Sequence, residues 1–167
     1  MHCIQQLLDQ GYAVNGSVRS PERKDEIYDA LKKHNTPTEN LKIFTFNLTE
    51  DNGWDEGMEG CDYLLHVASP LALANHGEEF FVGPAVSGAK RALKFAKKHN
   101  VKKVVLTSSV AAIFETTVLK EYYDESDWSD PNKDTINHYA KSKTLAEMAA
   151  WDFVREENNP FELAVIN

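Results

Sequence analysis

Short apolar runs alternate with longer amphipathic stretches along the chain. From Cys3 to Gln10, Ile4, Leu7 and Leu8 fall at i, i+3 and i+4, one stripe of a helix that Gly11 ends. Ala13–Val18 (AVNGSV) then predicts a strand. Ile27 and Leu31, again four apart, predict a second helix within Pro21–Lys33. Lys42–Leu48 (KIFTFNL) alternates with a period of two, as a half-buried strand does. Cys61–Val67 (CDYLLHV) is nearly continuous in apolar residues and predicts a buried strand. A helix over Phe80–Lys98 carries Val86, Ala89, Leu93 and Ala96. Lys103–Thr107 (KVVLT) is the next strand, Tyr139–Glu157 the next helix, and Phe161–Ile166 the last strand.

Strands alternating with helices imply βαβ units and a parallel sheet with helices on both faces, an α/β fold. The chain opens inside a helix with no strand before it, and it stops at the close of a buried-type strand. A parallel strand needs a crossover. The expectation is therefore a segment of a longer protein, residues 1–167 forming a single partial domain in which Met1 is an internal methionine.

Charge narrows the function. Eighteen Lys and Arg against 26 Asp and Glu give a net charge of −8, which argues against a general nucleic-acid binder. No run approaches the ~18 apolar residues of a membrane span, and no signal-peptide pattern opens the chain. Cys3 and Cys61 make no disulfide framework, and the six histidines show no metal-ligand spacing, so no metal is assigned. A reduced, cytoplasmic protein is expected, with Cys61 as a small core residue.

The most informative local pattern is Tyr139-Ala-Lys-Ser-Lys143. Spacing i, i+4 on a helix puts the phenol and the ammonium on one face. A free tyrosine, with a pKa near ~10, is a poor acid or base at neutral pH, and a lysine beside it favours the phenolate. Tyr and Lys four apart also occur on ordinary surface helices. Ser108-Ser109 follows the KVVLT run, where open parallel sheets present their ligand crevice. A hydroxyl there could hold a carbonyl oxygen, or simply cap a turn.

Several blocks in order extend this picture. They are Gly11-Tyr12 with Val18-Arg19-Ser20, Gly60-Cys61-Asp62 with His66-Val67-Ala68-Ser69-Pro70, and Val104-Val105-Leu106-Thr107-Ser108-Ser109. Tyr123-Asp124-Glu125-Ser126-Asp127-Trp128 and Tyr139 through Glu147 follow. Over essentially its whole length the chain resembles the extended short-chain dehydrogenase/reductases of the NAD-dependent epimerase/dehydratase superfamily, in the dihydroflavonol reductase-like, aldehyde/ketone reductase branch. The resemblance implies a Rossmann-like, doubly wound parallel sheet that is incomplete here. The first strand with its glycine-rich turn would precede Met1, and the substrate region would follow Asn167.

The resemblance also implies roles. Ser109 would hold the substrate oxygen, Tyr139 would donate the proton, and Lys143 would assist Tyr139 and hold the nicotinamide ribose. Val67, Ala68, Ser69 and Thr107 would lie along the cofactor. Arg19, with Arg23 as a second contact, would meet the 2′-phosphate of NADP(H), which favours NADPH over NADH. Both arginines could equally be solvated charges. Asn47 and Leu48 stand where the family usually has an aspartate near the adenine. The implied activity is NADPH-dependent reduction of an aldehyde or ketone, weak in these 167 residues alone because the pyrophosphate cradle is not among them.

Two alternatives stand beside it. One is a nucleotide-sugar epimerase or dehydratase of the same fold. The other is a non-catalytic chain or dimerisation partner pairing through Pro84–Lys98 and Tyr139–Glu157. Leu71, Leu73 and Ala74 suggest an apolar pocket wall. Asn15-Gly-Ser17 and Asn47-Leu-Thr49 match glycosylation acceptors by chance, and the Asn15-Gly16 hairpin signal yields to the parallel context. His138 is expected to face solvent, and Asp124–Asp130 to form a solvated loop.

Overall fold

The computed structural model describes residues 1–71, 76–116 and 120–167. Every strand pair in it is parallel, and the strands divide into two sheets. The chain likewise divides into two compact units, residues 1–61 and 62–167.

The first unit runs α1 (His2–Asp9), β1 (Val14–Val18), α2 (Arg23–Lys33), β2 (Leu41–Thr45) and α3 (Trp54–Met58). β1 pairs with β2, Val14 opposite Leu41 and Val18 opposite Thr45. Period-two alternation sends Val14, Gly16 and Val18 to one face, where Leu8, Leu31, Leu41 and Ile43 close the core with Ile4, Leu7 and Ile27. A Cβ on Gly16 would meet Ile43 Cδ1 at 2.8 Å and Ile4 Cδ1 at 3.1 Å, so the glycine is there for close packing, not for a turn. On the other face Asn15 Nδ2 donates to Gly57 O of α3 (3.1 Å). α3 is absent from the sequence expectations. Trp54 buries its ring against Phe46, centroids 4.6 Å apart, and donates its indole N–H to Asn47 O (2.9 Å).

The second unit runs β3 (Tyr63–His66), α4 (Glu78–Lys98), β4 (Lys103–Thr107), a 3-10 turn (Val110–Ala112), α5 (His138–Glu156) and β5 (Glu162–Ile166). The sheet order is β3-β4-β5, with Leu64, Val104 and Leu163 in register. Two successive right-handed crossovers in one direction must place both helices on the same side of the sheet. α4 and α5 accordingly pack side by side through small residues, Ala85 and Ala89 against Ala146. The apolar sides proposed for dimerisation thus have partners within the unit. The opposite sheet face leaves Tyr63 (56%), Leu65 (41%) and Ile166 (58%) exposed. That corrects the expectation of a buried Cys61–Val67 strand, because α4 and α5 both cover the other face of the sheet, and among the described residues of this unit no helix covers the face that Tyr63 and Leu65 share. Cys61 is half-buried, not core, and its Sγ accepts from Asn15 Nδ2 at 3.5 Å. Among the described residues no helix is long and apolar enough to cross a membrane.

One device turns four helices into strands. After α1, Gly11 (φ +84°) donates to Leu8 O and Tyr12 to Leu7 O, a Schellman pair of bonds. Asn35, Asn100 and Asn158 repeat it after α2, α4 and α5 with φ of 54°, 56° and 57°. Glycine takes this left-handed conformation freely, asparagine tolerates it, and other side chains resist it. Replacing Asn100 by Ala should therefore lower stability by about 1 kcal/mol, while Asn100→Gly should match or exceed the wild type in urea unfolding. Equal loss in both variants would refute the turn's role.

Candidate active site

Parallel pairing brings the carboxyl ends of β3, β4 and β5 to one edge of the second unit. β3 ends at His66 and continues into Val67, Ala68 and Ser69, whereas β4 ends at Thr107 and continues into Ser108 and Ser109. α5 begins at that edge. Asn137 caps it, its Oδ1 accepting from Ala140 N at 2.8 Å. The first turns of α5 carry Tyr139, Lys143 and Glu147.

Lys143 is the centre of the arrangement. It is 6% exposed, its Nζ donates to Thr107 O at 3.1 Å, and it lies 5.9 Å from the Tyr139 ring centroid. Burial pushes its ammonium below the ordinary lysine range, and the Glu147 carboxylate pulls it partly back. His66, 7% exposed, lies in the same cleft, and burial drives its imidazole down to about 4, the Lys143 charge adding to the effect. The cleft gathers His66, Ala68, Ser69, Thr107, Ser108, Lys143 and Glu147. Its enclosed part is about 10 Å³, room for about one water, so any larger ligand must lie across its mouth. A bigger groove of about 710 Å³ opens where β4 and β5 begin, between Lys102, Lys103, Phe161 and Glu162. Its charges already sit in the pairs Lys103–Glu162 (2.9 Å) and Lys102–Asp62 (2.6 Å), so volume and chemistry point to different places. The buried titratable and hydroxyl groups gather at the carboxyl edge.

The expected residues divide. Ala68, Ser69, Thr107 and Lys143 share the cleft; Ser109 and Tyr139 do not line it, and Val67 is half exposed. Ser109 Oγ accepts from Ala111 N (3.2 Å), capping the 3-10 turn and leaving its O–H to donate. Ser108 Oγ is buried with no hydrogen-bond partner among the described residues. In the first unit Arg19 is exposed just after β1, and Arg23 is held by Glu26 at 3.0 Å, both side chains more than half exposed. Asn47 Oδ1 accepts from both Thr49 N and Thr49 Oγ1 (2.7 Å each), which ends β2 before Asn47 and Leu48. Leu71 is exposed, whereas Leu73 and Ala74 fall outside the described residues.

Sequence reasoning missed His66, Glu147 and Ser129. Ser129 is 1% exposed; its Oγ donates to Ala111 O and accepts from Glu115 N, both at 2.8 Å. With Asp127 also buried, the acidic stretch anchors the segment after Ser109, a correction to the expected solvated loop. His66 stood within a run expected to be buried, but nothing local marked it as part of a site, and nothing local signalled the burial of the serine after Trp128. His138 is exposed, 3.9 Å from Glu78.

Residues 1–161 match the family described as 3-beta hydroxysteroid dehydrogenase/isomerase. The chain belongs to this family. It is 36% identical over 166 residues to an anthocyanidin reductase of Vitis vinifera, covering 93% of this chain and 48% of that protein. It is 34% identical to dihydroflavonol 4-reductase of Arabidopsis thaliana, covering 95% and 43%. Among solved structures it is similar to yeast methylglyoxal/isovaleraldehyde reductase Gre2 complexed with NADPH. The TM-score there is 0.82 at 28% identity, covering 98% of this chain and 52% of that one. These relatives place the chain with the extended, dihydroflavonol reductase-like members and its fold with the Rossmann-like α/β proteins. The chain spans about half the length of the curated relatives it matches.

The neutral, buried His66 sets a pH dependence. Its folded pKa of about 4 lies below the ordinary 6.5, so the unfolded chain binds the proton more tightly. Stability from this group is complete above pH 6.5 and is lost as pH falls through 4, up to about 3 kcal/mol. Urea unfolding between pH 7.5 and 4 should show this slope, and His66→Gln should flatten it.

Proposed function

We propose that these residues are the cofactor-binding and catalytic part of an NADPH-dependent reductase that converts an aldehyde or ketone to an alcohol. The observation that carries the reading is the placement of Lys143. Its ammonium is held by Thr107 O at the end of β4, on the same helix face as Tyr139 and beside the residues that follow β3. The proposal takes residues 1–167 as a single partial dinucleotide-binding domain.

In this reading Tyr139 gives its phenolic proton to the substrate oxygen, and the Lys143 charge stabilises the phenolate left behind. Ser109 donates its free O–H to the same oxygen, pre-aimed because its lone pair is fixed on Ala111 N. The donor set suits a nicotinamide ribose. One Lys143 N–H is on Thr107 O, and two remain for ribose hydroxyls, with the small Ala68 and Ser69 leaving room beside them. NADPH, when bound, supplies the hydride. Val67, Ala68, Ser69 and Thr107 would line it. Asn47 would reach the adenine end through Nδ2, with Leu48 giving apolar contact, because both lone pairs of its Oδ1 are engaged. Arg19, and Arg23 on release from Glu26, would take the 2′-phosphate. A small-molecule carbonyl compound is the partner.

The relatives' names support a reductase over an epimerase. Adding NADPH to the isotopically labelled chain should shift the amide signals of Ala68, Ser69, Thr107 and Lys143 at millimolar concentration. NADH should do so less strongly, and Arg19→Ala should erase the difference. Shifts confined elsewhere would overturn the assignment. Where NADPH oxidation with an aldehyde is measurable, Tyr139→Phe should cut it by about a hundredfold or more while the amide shifts persist.

A further inference from the structure

Glu147 is a buried carboxylate, 5% exposed, which the mechanism above leaves without a task. Its Oε2 accepts from Asn167 Nδ2 at 2.8 Å, and its Oε1 accepts from Trp151 Nε1 at 3.4 Å. Asn167 stands just past β5, and the same Nδ2 reaches Ser109 O at 3.4 Å. Ser109 O in turn accepts from Ala112 N at 2.8 Å, and Ser109 Oγ from Ala111 N. One helical turn before Glu147 on α5 lies Lys143. A carboxylate this buried is costly unless paired and hydrogen-bonded, and here its partners lead to both the serine and the lysine.

We infer that Glu147 is a positioning residue: through Asn167 it ties the end of β5 to the backbone of Ser109, and its charge is the counter-charge of Lys143. It touches no reacting atom. The inference rests on the reading of Ser109 and Lys143 as site residues and extends it to what holds them. Lys143 is faced from α5 by Tyr139 and Glu147, from β3 by His66, and from β4 by Thr107 O and the Ser108 hydroxyl. Glu147 is the one anion in this set. A buried ammonium beside a buried imidazole, with no negative charge within a turn, would be driven to lose its proton.

Two substitutions separate the two functions. Glu147→Gln keeps an oxygen for Asn167 and removes the charge. Glu147→Asp keeps the charge and draws it back by one methylene from Asn167. Lysine side-chain NMR on the full chain reads the Lys143 titration, and amide hydrogen exchange at Ala111 and Ala112 reads the Ser109 segment. Glu147→Gln should lower the proton affinity of Lys143 about tenfold with exchange unchanged. Glu147→Asp should leave the titration in place and speed exchange at Ala111 and Ala112 about tenfold. A Lys143 titration unmoved in Glu147→Gln, or exchange unmoved in Glu147→Asp, overturns the inference. Should the variants at 147 fail to fold, Asn167→Ala cuts the tie from its other end and must speed the same exchange; unchanged protection there overturns it too. Neither readout needs NADPH or turnover. A chain that shows both effects while millimolar NADPH shifts only amides away from Ala68, Ser69, Thr107 and Lys143 would overturn the reductase assignment and leave Glu147 its role.

Discussion

A parallel strand hydrogen-bonded on both edges cannot be reached by a hairpin, and β4 is such a strand, lying between β3 and β5. Each neighbour must be joined to it by a crossover, and each crossover must return to the far end of the sheet before the next strand begins. That constraint alone places the ends of β3, β4 and β5 together and sets the start of α5 beside them. Thr107 and Lys143 are thus neighbours because of strand direction, although 36 positions separate them in the chain, and Ser109 lies two residues past Thr107. The serine needs no special strain to face outward. It is simply the second residue after the ladder ends, and its side chain is turned by the cap it makes.

How much of this can be read from the sequence depends on how local each cause is. β4 occupies the five residues its apolar run predicts, Lys103–Thr107, because a short β-branched run between charged and hydroxyl residues has few other uses. The long helices begin within two residues of their expected starts, since an apolar stripe at 3.6 spacing is itself the signal. β2 stops at Thr45, three residues short of expectation, because Asn47 turns its own side chain onto Thr49 and breaks the alternation. α3 is too short for periodicity to mark, and its anchor is Trp54 stacked on Phe46, a contact between elements. In the site, Tyr139 and Lys143 are legible because four residues on a helix is a local relation. Glu147 and Ser129 are not, because their contacts run to Asn167 and Ala111, residues 20 and 18 positions away, and the Lys143 charge that His66 feels comes from 77 positions away.

Polar burial in the second unit is therefore organised as a network and not as isolated contacts. His66 stays neutral, Lys143 carries charge at a cost in hydration, and Glu147 offsets that cost. Removing one member of such a set leaves the others wrongly solvated, which makes the edge electrostatically unforgiving of substitution. The α4–α5 contact, built on Ala85, Ala89 and Ala146, tolerates little bulk either, so the unit is constrained from the charged edge and from the helical layer alike.

The bare face of the three-stranded sheet has a colloidal meaning. Tyr63, Leu65 and Ile166 present apolar side chains to water, and among the described residues β3 is hydrogen-bonded to a strand on one side only. What opposes self-association is the net charge of −8, which works through long-range repulsion and has a reach of about 8 Å at physiological ionic strength. Dissolved ions screen that repulsion, so concentrated salt shifts the balance toward clusters.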